Sequence, residues 1–294
     1  MTILVTGATG TVGRHLIYHL LHQGQKVRAL TRNPATASLP EDVEVIGGDL
    51  TDAGTLRPAF GGISAAHLIT FGGDYQPLGN GQQIVDLLRE GGVRKVTLLG
   101  GWQEGSLEPA VRASPLEWTY LNPVQFMANF LTDWGEPLRT TGVVREPYGD
   151  RKSPPIHESD IAAVAATVLT QDGHADQAYH LTGPEVLTAR QMIRHLAEAT
   201  GRDLRFEELT PDQTRQEWGA LGKRPNLSLF RAFTQIPGVR DADVVEIFLQ
   251  MVGTPNKYGT TLTDNVEKIT GRPPRTFAQW AAEHAHHFQP QDAA

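Results

Sequence analysis

The chain opens on a short apolar run that breaks into three evenly spaced glycines: Thr2-Ile3-Leu4-Val5-Thr6-Gly7-Ala8-Thr9-Gly10-Thr11-Val12-Gly13-Arg14. The apolar residues predict a strand over 2–6. Val12, Leu16, Ile17, Leu20 and Leu21 then recur at helical spacing and predict an amphipathic helix over 12–23. A strand that feeds a helix through Gly-x-x-Gly-x-x-Gly leaves few folds open. Gly7 permits the tight turn, Gly10 lets an anionic group approach the backbone with no Cβ in the way, and Gly13 lets the helix pack close to the strand. This arrangement brings a dinucleotide pyrophosphate onto a helix N-terminus, and it makes Gly7, Thr9, Gly10, Thr11, Val12 and Gly13 the candidate contacts. The competing reading is a merely tight structural turn.

Strand and helix signals alternate onwards from this unit. Residues 26–31, 43–46, 66–70, 95–99 and 118–121 read as strands, and 53–60, 82–90 and 107–113 as helices. Such alternation with short connections predicts an α/β fold with a Rossmann-type, doubly wound parallel sheet, whose ligands bind beyond the carboxyl ends of the strands. After Asn122 the pattern changes, with Pro123, Pro137, Pro147, Pro154 and Pro155 punctuating loops. Helices are expected over 159–170, 188–200, 210–221, 242–252 and 276–284, and a strand over 178–181. The expectation is one NAD(P)-binding Rossmann-type domain over 1–294. Within it, residues from about 123 to 294 contribute a smaller C-terminal substrate lobe interleaved with the sheet.

At 294 residues the chain is long enough to bury a large core. A formal net charge of −7 argues against general nucleic-acid binding. The absence of cysteine excludes disulfides, thiolate metal sites and a cysteine nucleophile. The start is a core strand without a charged-then-apolar leader, and no apolar run reaches membrane-spanning length. A cytoplasmic location with no membrane partner is therefore expected.

Several later segments carry a family resemblance. They are Arg28-Ala29-Leu30-Thr31-Arg32-Asn33-Pro34, Gly48-Asp49-Leu50, Leu116-Glu117-Trp118-Thr119-Tyr120-Leu121-Asn122-Pro123 with Phe126-Met127-Ala128-Asn129, Asp160-Ile161-Ala162-Ala163-Val164, Tyr179-His180-Leu181-Thr182-Gly183-Pro184, and a tail containing Thr270-Gly271-Arg272-Pro273-Pro274-Arg275-Thr276-Phe277. Together with the opening glycines, they resemble the NmrA-like group of atypical short-chain dehydrogenase/reductases across nearly the whole chain. The resemblance implies the fold and an NAD(P)H site. It covers reductases of quinones and other small molecules, and also regulators that bind the dinucleotide without turning it over.

Which dinucleotide is expected follows from the end of the second strand. A ribose 2′-hydroxyl wants an acid there, and a 2′-phosphate wants a cation. The strand ends Thr31-Arg32-Asn33, with no acid. Arg32 offers a planar fork for phosphate, and Arg14 lies just past the third glycine. NADP(H) is therefore expected over NAD(H), the alternative being that both arginines are solvated surface cations. The resemblance implies that Asp49 and Leu50 flank the adenine, with Asp49 accepting from its amino group. A turn or cap role is the other reading of Asp49. Thr70, Phe71 and Gly72, ending the fourth strand, are expected to line the ribose and pyrophosphate side.

The chemistry is less legible. Short-chain dehydrogenases usually pair a helical Tyr-x-x-x-Lys with a hydroxyl beyond the fifth strand. Here that strand ends Leu98-Leu99-Gly100-Gly101-Trp102, and residues 103–114 hold neither Tyr nor Lys. Tyr148-Gly149-Asp150-Arg151-Lys152 matches the spacing but reads as a turn. The polar candidates left are Asn122 and His157 as catalytic groups, with Gln125 beside them; His157 otherwise reads as a loop histidine. Asn122 stands where many members carry Arg, which leaves an anion clamp unsupported. Trp102 and Phe126, with Phe71 and Tyr75, suggest an aromatic wall for a planar substrate, each being otherwise core packing. His284, His286 and His287 read as a disordered polar tail rather than a metal site.

The leading expectation is an NADPH-dependent reductase of a quinone-like or aromatic carbonyl compound, held in a pocket between the sheet and the lobe and reduced by direct hydride transfer. An NADP(H)-sensing regulator and a non-redox isomerase or cyclase are the alternatives.

Overall fold

The computed structural model describes residues 1–73, 75–101, 103–219, 226–234, 238–240, 243–254 and 260–290. The chain begins with β1 (Thr2–Val5), α1 (Thr11–His22), β2 (Lys26–Thr31), β3 (Val43–Gly47), α2 (Arg57–Phe60), β4 (Ala65–Ile69), α3 (Gly81–Glu90), β5 (Lys95–Leu99), α4 (Leu107–Arg112) and β6 (Glu117–Pro123). It continues through α5 (Asn129–Asp133), α6 (Gly135–Thr140), β7 (Val143–Glu146), β8 (Lys152–Ser153), α7 (Glu158–Thr170), β9 (Gln177–Leu181), β10 (Leu187–Thr188) and α8 (Ala189–Thr200). It ends with β11 (Arg205–Glu208), α9 (Pro211–Trp218), α10 (Ser228–Thr234), α11 (Val244–Gly253), α12 (Asn265–Thr270) and α13 (Phe277–His284). Two compact units emerge. One is Met1–Pro123 with Glu158–Leu181 and Asn265–Arg272, and the other is Val124–His157 with Thr182–Asp264 and Pro273–Ala294.

The first unit holds a seven-stranded sheet in the order β3-β2-β1-β4-β5-β6-β9, parallel throughout. This is the expected Rossmann-type α/β architecture. The order reverses between β1 and β4, and such a reversal opens a crevice at the carboxyl ends of the strands. On one face Leu4, Ala66, Leu68, Val96 and Leu98 pack with Phe60, Ile84, Leu88, Leu107 and Val111 of α2, α3 and α4. Helices α1 and α7 lie against each other, and α7 packs on β4, β5 and β6.

Polar side chains are also buried within this unit. His67, Thr97 and Thr119 share one register row across β4, β5 and β6. His67 Nδ1 pairs with Thr97 Oγ1 at 2.7 Å, and Thr119 Oγ1 donates to the His174 carbonyl at 2.8 Å. Burial pushes the His67 imidazole down to about 4, so it stays neutral near pH 7.

One departure from the sequence pattern has a local steric cause. Residues 53–60 do not form one helix. Ala53–Thr55 is a 3-10 turn capped by Asp52, whose Oδ1 accepts from the Gly54 amide at 3.0 Å, and α2 restarts at Arg57. Pro58 lacks the amide that would bond back to Gly54, and its ring crowds that carbonyl, so a continuous helix is blocked while a fresh first turn tolerates it.

The second unit pairs β7 with β11 in parallel and β8 with β10 antiparallel. Its core gathers Phe130, Trp134, Phe277, Trp280 and Phe288. A further cluster joins Trp218, Phe230 and Phe248 from α9, α10 and α11. Helices α8, α9 and α13 each start at a threonine that forms a reciprocal capping box with a glutamine three residues on: Thr188 with Gln191, Thr210 with Gln213, Thr276 with Gln279. The histidine tail is not disordered. Residues Ala285–Phe288 form a 3-10 turn anchored by buried Phe288, and His284 stacks on Trp280 at 4.6 Å.

Glu146, at the end of β7, is buried and accepts from Trp134 Nε1 at 2.8 Å. Desolvation pushes its carboxyl up to about 7, against the pull of Arg151. A folded-state value raised in this way means that its contribution to stability is complete below about pH 4.5 and is lost as pH rises through 7. The loss amounts to about 3 kcal/mol. Glu146→Gln keeps an acceptor for Trp134 and removes the charge. Urea denaturation should show the variant more stable than the parent by about 1–3 kcal/mol at pH 8 and nearly equal to it at pH 4.5.

Candidate functional site

A cleft opens at the carboxyl ends of the strands of the first unit. It is lined by Thr6, Gly7 and Thr9 after β1, by Thr31, Arg32, Asn33, Thr36 and Ala37 after β2, by Gly48, Asp49 and Leu50 after β3, and by Phe71, Gly72 and Gly73 after β4. The glycine turn forms its floor. Gly7 sits at φ +60°, the left-handed region that glycine enters without a Cβ penalty, and its carbonyl accepts from the Gly10 amide at 2.9 Å. Gly13 is the tightest point. A Cβ there would stand 2.2 Å from the Gly7 carbonyl oxygen, so the first turn of α1 rests directly on the backbone of the loop.

The N-terminus of α1 is bare. Gly10 is its N-cap and supplies no side-chain cap, and the first turn carries no acidic residue. The amides of Thr11, Val12 and Gly13 therefore lack an intrahelical partner, and the helix dipole adds positive potential there. Val12's side chain is buried in the core, so any ligand contact from Val12 is through its backbone.

The two arginines have different fates. The Arg14 guanidinium donates to the backbone carbonyls of Thr9 at 3.0 Å, Ser38 at 2.8 Å and Ala37 at 3.3 Å. It braces the glycine loop against the segment after β2, with Arg14 itself remaining exposed. Arg32 is exposed, and no hydrogen bond or ion pair engages its guanidinium among the described residues. Its fork lies flat against Gly73, where a Cβ would stand 2.0 Å from Nη1.

Asp49 takes the turn role and also faces the cleft. Its Oδ1 accepts from the Thr51 amide at 2.9 Å and from the Thr51 hydroxyl at 2.8 Å, a local turn, while the residue also lines the cleft. The Thr51 amide, its hydroxyl and the Arg32 charge hold the carboxyl below its ordinary value, so it is ionised at neutral pH. Leu50 is buried at the rim.

Other expected site residues are placed differently. Thr70 is buried and does not line the cleft; its Oγ1 accepts from the Gly101 amide at 3.2 Å and ties the ends of β4 and β5 together. Phe71 and Gly72 do line it, and Phe71 stacks on Tyr75 with centroids 5.6 Å apart. Asn122 lies inside β6, in register with His180, and is exposed. His157 lies in the loop just before α7 and is buried there. It is 1% exposed, and its Nε2 pairs with Glu283 Oε2 at 3.1 Å. Gln125 is half-buried and its Oε1 accepts from Ser153 Oγ at 3.2 Å, while Phe126 bridges to Ile156. Trp102 lies outside the described residues. The Tyr148–Lys152 spacing falls on a turn, with Tyr148 at φ +61° and the Arg151 amide bonded back to the Tyr148 carbonyl. Among the described residues no cluster of histidines and acids could hold a metal ion, and no helix is long and apolar enough to cross a membrane.

With this geometry in view, the comparisons with known proteins are specific. The sequence model of a family described as NAD(P)H-binding matches residues 7–108, the segment that builds the cleft. The chain is 34% identical to the (4-alkanoyl-5-oxo-2,5-dihydrofuran-3-yl)methyl phosphate reductase of Streptomyces griseus subsp. griseus, over 98% of this chain and all of that one. It is 30% identical to the NAD(P)H azoreductase of Xenophilus azovorans, over 97% and 99%. The chain belongs to this NAD(P)H-binding family. It is an NAD(P)H-dependent oxidoreductase. Its fold is shared with the NADPH-dependent quinone oxidoreductase QOR2 of Escherichia coli, solved with NADPH, at a TM-score of 0.72 and 21% identity over 96% of this chain and 99% of that one.

The sequence reading missed Thr31, Asn33, Thr36, Gly48 and Gly73 as cleft residues. Two glycine substitutions separate support of the loop from the shape of the cleft. Gly13→Ala drives a methyl into backbone and should lower stability by about 1–3 kcal/mol while weakening dinucleotide binding. Gly73→Ala displaces only the far end of Arg32 and should leave the melting temperature nearly unchanged. Thermal melts with dinucleotide titrations check both.

Proposed function

We propose that this protein is an NADPH-dependent reductase of a quinone-like or other planar, conjugated small molecule, working by direct hydride transfer without a Tyr-x-x-x-Lys relay. The observation that carries the cofactor reading is the Arg32 fork on Gly73, unpartnered among the described residues, beside Asn33 and Thr36 and with no acid ending β2. A guanidinium so held suits a 2′-phosphate bidentately, where a ribose 2′-hydroxyl would want a carboxylate. Gly10, Thr11, Val12 and Gly13 would take the pyrophosphate on the bare start of α1, and Asp49 with Leu50 the adenine. The residues present fit this group, because the uncapped amides, the exposed cation and the ionised Asp49 are each matched to one part of it.

When bound, the reduced nicotinamide supplies the hydride. The chain's own part is to hold the dinucleotide along the carboxyl edge of the sheet and to offer an apolar surface to the acceptor. The stacked Phe71 and Tyr75 rings support a planar acceptor, as do the names of the relatives, an azoreductase and the E. coli quinone oxidoreductase 2 among them. Exposed Asn122 is the polar candidate from β6.

Arg32→Ala tests the cofactor reading. The dissociation constant for NADPH should rise about 10–100-fold, as expected for loss of a charge-assisted bond of about 1.5–3 kcal/mol, while that for NADH changes less than about twofold. Equal losses for both nucleotides would remove the 2′-phosphate role. NADPH oxidation with menadione as acceptor tests the reductase reading itself.

A further inference from the structure

The fifth strand ends in Gly100-Gly101, where a hydroxyl would be expected in a short-chain dehydrogenase, yet a hydroxyl stands there in space. Tyr120, on β6 in register with Leu98 of β5, lays its ring along the strand ends. Its Oη occupies the room a side chain at position 100 would need: a Cβ on Gly100 would lie 2.1 Å from Oη and 2.7 Å from Cζ. Tyr120 is half-buried, and among the described residues no hydrogen bond engages its Oη.

This hydroxyl lies at the right end of the sheet. The adenosine-side residues Arg32 and Asp49 follow β2 and β3, and the pyrophosphate turn follows β1. With the strand order β3-β2-β1-β4-β5-β6, a dinucleotide running along the carboxyl edge extends its other half past β4 toward β5 and β6. A continuous set of contacts leads there. Phe71 lines the cleft, Gly101 packs on the Phe71 ring so closely that a Cβ would stand 3.0 Å from Cδ1, and Gly100 carries the Tyr120 hydroxyl.

We propose that Tyr120 is the proton-donating catalytic residue of this reductase, its hydroxyl restored over Gly100 from the neighbouring strand. The inference rests on the reductase reading above. In the step assigned to it, the acceptor gains a hydride at its electrophilic atom and the π bond of its carbonyl breaks. The Tyr120 O–H bond also breaks, its proton passes to the carbonyl oxygen, and the phenolate is reprotonated by water. The acceptor is reduced by two electrons and NADPH is the reductant oxidised. An alkoxide is more basic than a phenolate and a quinol oxygen is close to one, so the transfer is downhill to the first and modestly uphill to the second from a phenol whose acidity is lowered. The charged groups facing Tyr120 are Glu108, Glu104 and Arg112. Glu108 is fully buried, with Oε2 accepting from the Gly105 amide at 3.0 Å and Oε1 unbonded, and Glu104 is paired with Arg112 at 2.8 Å. Burial and the two carboxylates push the phenol up, so it remains a proton donor across neutral pH.

Tyr120→Phe and Gly100→Ala test this from both sides, one deleting the hydroxyl and the other putting a methyl in its place. With menadione as acceptor and saturating NADPH, both should lower kcat about tenfold or more. Both should keep the NADPH dissociation constant within about twofold, since neither residue lines the cleft assigned to the adenosine and pyrophosphate, and Tyr120→Phe, which only removes an oxygen, should melt near the parent temperature. In Tyr120→Phe, kcat should fall with rising pH between 6 and 9, as solvent takes over protonation, where the parent profile is flat. Parent-like kcat and pH profile in a folded Tyr120→Phe would overturn the assignment and leave the reductase reading standing. A parent protein that binds NADPH but oxidises it with neither menadione nor phenanthrenequinone would overturn the reductase reading and this assignment with it.

Discussion

The first unit depends on how closely α1 approaches the turn that follows β1. The contact between Gly13 and the Gly7 carbonyl sets the height of the helix over the sheet, and with it the direction in which the uncapped amides of Thr11 to Gly13 point. Arg14 then fastens the same turn to the carbonyls of Ala37 and Ser38, so the loop after β1 and the loop after β2 form one wall. The proposed pyrophosphate site would thus be built almost entirely from backbone, with Arg14 and Gly13 keeping that backbone in place.

Charge in the cleft is arranged economically. Arg32 and Asp49 stand on neighbouring strand ends, and the Arg32 charge adds to the Thr51 hydrogen bonds that hold Asp49 ionised, without a close ion pair among the described residues. A tight pair would have to be broken for ligand to enter. Holding Asp49 on Thr51 and resting Arg32 on Gly73 keeps both groups ordered and available, which lowers the reorganisation needed on binding.

The parallel sheet and the glycine site were legible in the sequence because each is written in local pattern: apolar runs, helical periodicity and spaced glycines. Strands 26–31 and 95–99 fall where the pattern puts them. What was not legible depends on contacts between distant residues. β11 reads Arg-Phe-Glu-Glu and shows no apolar alternation, since only its pairing with β7 makes it a strand. Nothing local distinguishes Arg14 from Arg32, and it is the position of the loop after β2 that consumes one and spares the other. His157 is a loop residue as its sequence suggests, but its burial could not be read locally because its partner, Glu283, lies 126 residues away. The missing hydroxyl after β5 was read correctly as missing from that segment, but the register of β6 that supplies Tyr120 belongs to the sheet and not to any single stretch of chain.

The row of His67, Thr97 and Thr119 bears on the same register. Parallel strands of alanine, valine and leucine are nearly indifferent to sliding by two residues, because the same face stays buried and the ladder of backbone bonds re-forms. A polar rung resists that. Sliding β5 by two against β4 would carry Thr97 away from His67 Nδ1 and leave a buried nitrogen with no partner, a penalty on the order of 1–3 kcal/mol. The rung therefore works as a vernier between strands, fixing from inside the sheet how far each one protrudes at its carboxyl end, and so at what depth Phe71, Gly100 and Tyr120 meet.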